Sequence, residues 1–213
     1  MRAPITTVKH KPMLITFEGI DGCGKSTQAL LVYQFLVSRK YQVKMLREPG
    51  STVVAEKIRD ILLNKRLKIT DLTELFLYEA ARAEITTREI APALANGTIV
   101  LCDRFYDSTT AYQGFGRKLD IAMVKKLHKI AVGGVTPDLT FVFDVDLKTA
   151  FARLGKKRDR LESQSEAFFQ RVRLGFLEIA RKERRRVKVI DATRPIEEIF
   201  DNVRKLLLKK LER

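Results

Sequence analysis

Short apolar runs alternate with longer amphipathic ones along this chain. Residues 13–18 (MLITFE), 42–46 (QVKML), 98–102 (TIVLC), 139–145 (LTFVFDV) and 187–190 (VKVI) have the length and composition of strands. The segments between them carry helical spacing. Leu30, Leu31, Val32, Phe35 and Leu36 predict a helix over about 25–40 that is buried on most sides. Further helices are expected over about 53–64, from Asp71 as N-cap to Ala95 before the Asn96-Gly97 stop, over about 107–114, 120–132, 147–154 and 163–184, and from Pro195 at the first helical position to about 211. Strands alternating with helices predict βαβ units on a parallel sheet, hence one α/β domain over 13–213. Residues 1–12 lack the apolar centre of a secretory signal and read as an extension before the first strand.

Composition narrows this little. A hydrophobic share of 45% with 31% charged residues suits a soluble globular chain, and no apolar run reaches the length of a membrane span. The net charge of +15 invites a nucleic-acid reading, but the excess is spread over many helices, with clusters at 156–160 and 181–186. Solvated faces and anionic nucleotides account for it equally well, so nucleic acid is not the expected partner. Cys23 and Cys102 form no metal-ligand spacing and read as reduced thiols of a cytoplasmic protein.

The most informative stretch is FEGIDGCGKST. Gly19, four residues, then Gly24-Lys25-Ser26 is the phosphate-binding P-loop spacing, set between a strand-like and a helix-like run. Backbone N–H groups from Gly19, Ile20, Asp21, Gly22, Cys23, Gly24, Lys25, Ser26 and Thr27 can curl around phosphate oxygens, with the helix N-terminus behind them. Lys25 reaches the terminal phosphates, and Ser26 can sit on Mg²⁺. ATP and Mg²⁺ are therefore the expected cofactors.

Ligands of open parallel sheets lie beyond the strand ends. Arg47, Glu48, Asp103, Arg104, Asp144, Asp146 and Asp191 stand at those places. Asp103 ends an apolar strand where a carboxylate for Mg²⁺ belongs, or is an ordinary turn residue, and Arg104 would carry a planar cation to phosphate oxygens. Tyr78 and Arg82, at i and i+4, can together hold a planar base and its polar edge, or be a core tyrosine beside a surface arginine. The basic loop at about 154–162, with Arg158 and Arg160, has the makings of a lid over a transferring phosphoryl group, or is a solvated turn. His10 and His128 both read as surface residues.

In order, FEGIDGCGKST, REPGST, YEAAR, DRFYDSTTAYQG, PDLTFVFDVD and a basic loop ending in DRLE make the chain resemble the thymidylate kinases from about residue 13 to the last strand. The resemblance implies a three-layer P-loop NTPase fold, a five-stranded parallel sheet with helices on both faces. It also implies transfer of the ATP γ-phosphate to dTMP with Mg²⁺, and a homodimer. Carried over by position, it gives Asp21 the deoxyribose 3′-hydroxyl and Tyr78 the stacking place where the family usually has Phe. Arg82 goes to the dTMP site with Glu48 and Pro49, and Arg104 to the dTMP phosphate. Thr109, Tyr112 and Gln113 line the base and sugar, and Arg153 packs on adenine. Gly22 stands where one subgroup has an arginine; here the cations lie in the lid, as in the bacterial-type subgroup. The nucleophile would be a phosphate oxygen with a second pKa of about 6, so no strong general base is required. Other readings stay open: a kinase for dCMP, UMP or a nucleoside, a P-loop ATPase that binds nucleic acid, or a silent nucleotide-binding partner.

Overall fold

The computed structural model describes residues 10–154 and 159–212, so most of the N-terminal extension, and Arg158 in the basic loop, lie outside the described residues. Five strands, β1 (Met13–Glu18), β2 (Val43–Arg47), β3 (Ile99–Asp103), β4 (Leu139–Asp144) and β5 (Val187–Asp191), form one sheet in the order β2-β3-β1-β4-β5. Every pairing is parallel. The central strands are buried on both faces, as the unbroken apolar runs predict. On one face, Met13, Ile15 and Phe17 of β1 pack with α1 (Lys25–Ser38), α7 (Leu147–Arg153), α8 (Glu166–Lys182) and α9 (Ile196–Leu211). On the other, Leu14, Val100 and Cys102 pack with residues of α3 (Asp71–Ile85), α4 (Ala91–Ala95) and α6 (Ile121–Val132). Between them in sequence lie α2 (Val53–Leu63) and α5 (Tyr106–Thr109).

The polar residues between runs act as N-caps. Thr52, Thr70, Asp120, Asp146 and Ser165 each accept a backbone N–H from the first turn of the following helix. Thr70 rather than Asp71 therefore caps α3, and α8 begins at Glu166, three residues after its expected start. The helix expected over 71–95 is continuous but widens into a π-helical turn at Thr86–Ile90. Pro92 follows at once: it has no N–H for the Arg88 carbonyl, and its ring would crowd that carbonyl in a regular α-helix. A second π-helical turn, Thr110–Gly116, extends α5. Gly116 is required there because a Cβ would lie 2.6 Å from Phe168 Cε2 of α8. Pro195 stands outside α9 with extended ψ rather than at its first position.

α1 is not buried on most sides. Gln28, Ala29, Val32 and Leu36 face the core, while Leu30 is 48% exposed. His128 corrects a second expectation. It is buried, because α6 turns it inward to Glu79 and Thr110, two polar partners that an apolar face would not have supplied.

Candidate active site

Two cavities open beyond the carboxyl ends of the strands. The first, about 1,030 Å³, runs along the P-loop from Gly22 to Gln28 and is closed by Arg153, Arg194 and Ile196. The second, about 470 Å³, is lined by Asp21, Glu48, Pro49, Arg59, Tyr78, Arg104, Ser108, Thr109, Tyr112 and Gln113, with Asp159 and Leu161 at its edge.

The first cavity is shaped by backbone. Gly19, Gly22 and Gly24 all have positive φ. At Gly22 a Cβ would meet the Ala150 carbonyl oxygen at 2.2 Å, so α7 leaves no room for an arginine in the loop. Lys25 is buried at the start of α1, and Ile20 and Cys23 are packed in the core beneath it. Ser26 hydrogen-bonds the Asp103 carboxylate, whose other oxygen is buried and without a partner among the described residues. A hydroxyl and a carboxylate with a spare buried oxygen, beside a phosphate cradle, fit a Mg²⁺ ion that takes its remaining ligands from phosphates and water. Arg153 donates Nη1 to the Ala192 carbonyl at 3.1 Å, which fixes it on the cavity wall. Arg194, which sequence reasoning missed, stands beside it; nothing but its place after a strand could have marked it.

The second cavity is organised around Arg104. Its φ of 72° is left-handed, a conformation that L-residues hold only when surroundings enforce it. Nη1 donates to the Gly19 carbonyl and to Ser108 Oγ, both at 2.9 Å, and Nη2 donates to Asp21 Oδ1 at 2.5 Å and Tyr112 Oη at 3.3 Å. Lys25 Nζ reaches the same Asp21 oxygen at 3.3 Å, and the Tyr112 hydroxyl donates to the other at 3.0 Å. Burial pushes the Asp21 carboxyl up, but Arg104 and Lys25 outweigh it and hold it well below the usual carboxylate range. Asp21 thus joins the cavities, with a cation on it from each.

The base-side residues separate. Tyr78 lines the cavity, and no described residue hydrogen-bonds its phenol. Arg82 does not line it. At 1% exposure its Nε donates to Glu48 Oε2 and its Nη1 to Glu79 Oε1, both at 2.9 Å, over the Phe105 ring. It is the opposite of a surface arginine, and His128 supports the same Glu79 oxygen at 2.8 Å. Burial pushes the Glu48 carboxyl up to about 7 despite Arg82. Glu48 Oε1 and Thr109 Oγ1 are buried, line the cavity and lack partners among the described residues, which leaves hydrogen-bonding capacity for a ligand. Gln113 is held through Nε2 by Glu74 at 2.8 Å.

Glu74 is a hub. It also binds Arg117, and Arg160 Nη2 lies 2.6 Å from its Oε2. Arg160 donates Nε to the Leu62 carbonyl at 2.7 Å, using a free carbonyl at the end of α2. The guanidinium is thereby committed to α2 and α3, neither a solvated turn nor, in this arrangement, a group on the P-loop. Asp144, Asp146 and Asp191 serve structure: Asp144 pairs with Arg173, Asp146 caps α7, and Asp191 binds Thr193. Arg47 pairs with Glu56 at the surface. Arg59, which binds the Pro49 carbonyl at 2.9 Å, and Ser108 are further lining residues that sequence reasoning did not single out.

A phosphate cradle, a candidate Mg²⁺ pair and a second cavity reached through one carboxylate define a P-loop phosphotransferase with separate donor and acceptor sites. The sequence profile of the family described as thymidylate kinase matches residues 17–203. A thymidylate kinase of Kosmotoga olearia is 47% identical over 204 residues, covering 93% of this chain and 98% of the relative. One from Gloeobacter violaceus is 44% identical over 196 residues, covering 90% and 92%. The crystal structure of thymidylate kinase from Ehrlichia chaffeensis superposes with a TM-score of 0.77 at 37% identity, covering 93% of this chain and 99% of that one. The chain belongs to the thymidylate kinase family. It is accordingly a nucleoside-monophosphate kinase, a transferase that phosphorylates dTMP with ATP as donor.

Proposed function

We propose that ATP occupies the P-loop cavity with Mg²⁺ at Ser26 and Asp103, that dTMP occupies the cavity around Arg104, and that the reacting oxygens meet at Asp21. The observation that carries this is the double grip on Asp21 Oδ1 by Lys25 from one cavity and Arg104 from the other. A phosphate oxygen needs no base to become a nucleophile, so the work of the site is placement and charge. Lys25 and Arg104 supply two fixed cations where negative charge gathers, in a buried setting that strengthens them. Mg²⁺, when bound, offsets further phosphate charge. Asp21 orients both cations and faces the sugar hydroxyl, while Tyr112 and Thr109 crowd the sugar. Tyr78, Pro49 and Gln113 take the base, with Arg82 holding Glu48 in place behind it. Arg153 packs on the donor base. Arg158 and Arg160 complete the cation set, Arg160 by exchanging Glu74 for a phosphoryl oxygen.

The protein also acts as a homodimer in the cytoplasm. In support, α3 presents Leu72 and Phe76, at i and i+4 and both exposed, and α2 presents Val54 and Ile61. The buried thiols Cys23 and Cys102 are unpaired. No helix among the described residues is long and apolar enough to cross a membrane.

The test is ADP release with Mg·ATP and dTMP, dUMP, UMP, dCMP and AMP in parallel. Strong preference for dTMP supports the base site described here. Turnover with another monophosphate alone overturns it, and stimulation by nucleic acid without any acceptor would favour the ATPase reading.

A further inference from the structure

Glu18 ends β1 directly before the P-loop, and nothing in the phosphoryl-transfer scheme uses it. It is 0% exposed, although a buried carboxyl is costly without a reason to be there. Both of its oxygens are committed to the segment that carries Arg104. Oε1 accepts the Phe105 N–H at 2.7 Å, and Oε2 accepts the Ser108 hydroxyl at 2.5 Å. Ser108 Oγ in turn accepts Arg104 Nη1 at 2.9 Å. Phe105 occupies the N-cap position of α5 and has no side chain able to cap it. Glu18 instead anchors the entry to α5 from the neighbouring strand, taking the N–H that follows the left-handed Arg104 and the hydroxyl one turn further on. One buried carboxyl group thus pins the backbone just after the strained residue and, through a hydroxyl, one end of its guanidinium.

We infer that Glu18 is a positioning residue for the acceptor phosphate, acting through Phe105 N–H and Ser108 on the backbone and side chain of Arg104. The inference rests on the reading of Arg104 as the dTMP-phosphate arginine. Arg104 has other anchors, Gly19 and Asp21 on the P-loop side and the Tyr112 hydroxyl at 3.3 Å. Its contact with α5 runs through the Ser108 hydroxyl, which Glu18 holds, and α5 leads into the π-helical turn carrying Tyr112 and Gln113. A guanidinium misplaced by an ångström loses alignment with phosphate oxygens while its charge remains, so the acceptor side should suffer and the donor side should not.

The test compares Glu18→Gln, Ser108→Ala and Arg104→Ala, and each of the first two in the Arg104→Ala background, with separate kinetics for dTMP and ATP. Gln keeps the shape and the bond to Phe105 but presents a donor to Ser108. The expected result is a loss in kcat/KM for dTMP of about 10- to 100-fold in Glu18→Gln, smaller in Ser108→Ala, with KM for ATP within about 2-fold. Neither change should add to the loss in Arg104→Ala. Wild-type dTMP kinetics in both single variants, equal losses for dTMP and ATP, or full additivity with Arg104→Ala would overturn the inference. If Glu18→Gln does not fold, Ser108→Ala and its double variant decide alone. Normal kinetics in Arg104→Ala would instead overturn the Arg104 assignment and this inference with it, whereas an impaired Arg104→Ala beside intact Glu18→Gln and Ser108→Ala overturns only the inference.

Discussion

Replacing Arg104 by alanine is the most direct test of how this site handles charge. Around the point where the cavities join stand two cations, Lys25 and Arg104, and one carboxylate, Asp21. The local balance is one positive charge, at the place where we propose the two phosphates meet. Without Arg104 the balance is zero, and Asp21, still an anion, keeps the Tyr112 hydroxyl at 3.0 Å and, of the two cations, only Lys25 at the longer 3.3 Å. Both Nη atoms of Arg104 already donate to Gly19, Ser108, Asp21 and Tyr112, in a site where the side chain is 15% exposed, so each bond to the phosphate we propose here is made by exchanging one of these partners, largely out of water. Hydrogen bonds to charged partners are worth about 1.5–3 kcal/mol each, so two amount to about 3–6 kcal/mol, or roughly a 10²- to 10⁴-fold fall in kcat/KM for dTMP. The assay is ADP release under varied dTMP at saturating ATP, with circular dichroism to establish that the variant is folded. A folded Arg104→Ala enzyme with less than about a tenfold loss would refute this account of the site.

Three other expectations concern stability and assembly. Asp107 is buried and receives Arg186 Nη1 at 2.6 Å and Nη2 at 2.9 Å. Asp107→Ala leaves that guanidinium with Glu183 and Thr140 but without its buried carboxylate, and should cost about 3 kcal/mol, read as a melting temperature lower by on the order of 10 °C. Glu48 has its carboxyl raised by burial from 4.5 to about 7, so the fold binds its proton more tightly than the unfolded chain does. Its contribution to stability is whole below pH 4.5 and is lost as pH rises to about 7, a span worth up to about 3 kcal/mol. Glu48→Gln should flatten that decline in urea titrations across the range, and an unchanged slope would contradict it. For the homodimer proposed above, Phe76→Asp on the exposed stripe of α3 should give a monomer by light scattering with its fold intact, whereas a wild type that is itself monomeric, or an unaltered dimer, would overturn that interface.

Much of this was legible because apolar runs and glycine spacing are local signals. Strand positions, the parallel sheet and the P-loop follow from residues a few places apart, and the phosphate-binding groups there are mostly backbone. What escaped was the burial of polar side chains. Arg82 and His128 lie on helices whose spacing says nothing of a polar interior; their partners, Glu48 and Glu79, come from elsewhere in the chain. Glu18 read as the end of a strand because its partners are 87 and 90 residues away. Arg160 was expected among phosphates, but its partner Glu74 is on α3 and the carbonyl it binds is at the end of α2. Long-range polar pairing of this kind leaves no periodicity to find.

Glu74 gives the site a two-way linkage. Its side chain is 1% exposed, and its two oxygens serve Gln113 of the second cavity, Arg117, and Arg160 from the basic loop. A buried anion with two hydrogen-bond donors, Gln113 and Arg117, and a third partner, Arg160, paired by charge alone, redistributes its attraction when one of them leaves. On the proposed exchange of Glu74 for a phosphoryl oxygen, Arg160 would hand its share to Arg117 and Gln113, and the hold on Gln113 would tighten. By thermodynamic reciprocity, a base that fixes Gln113 against Glu74 makes Arg160 easier to release by the same free energy. Recognition of the correct acceptor and delivery of the loop arginine are then one equilibrium seen from its two ends, and an ill-fitting monophosphate forfeits both.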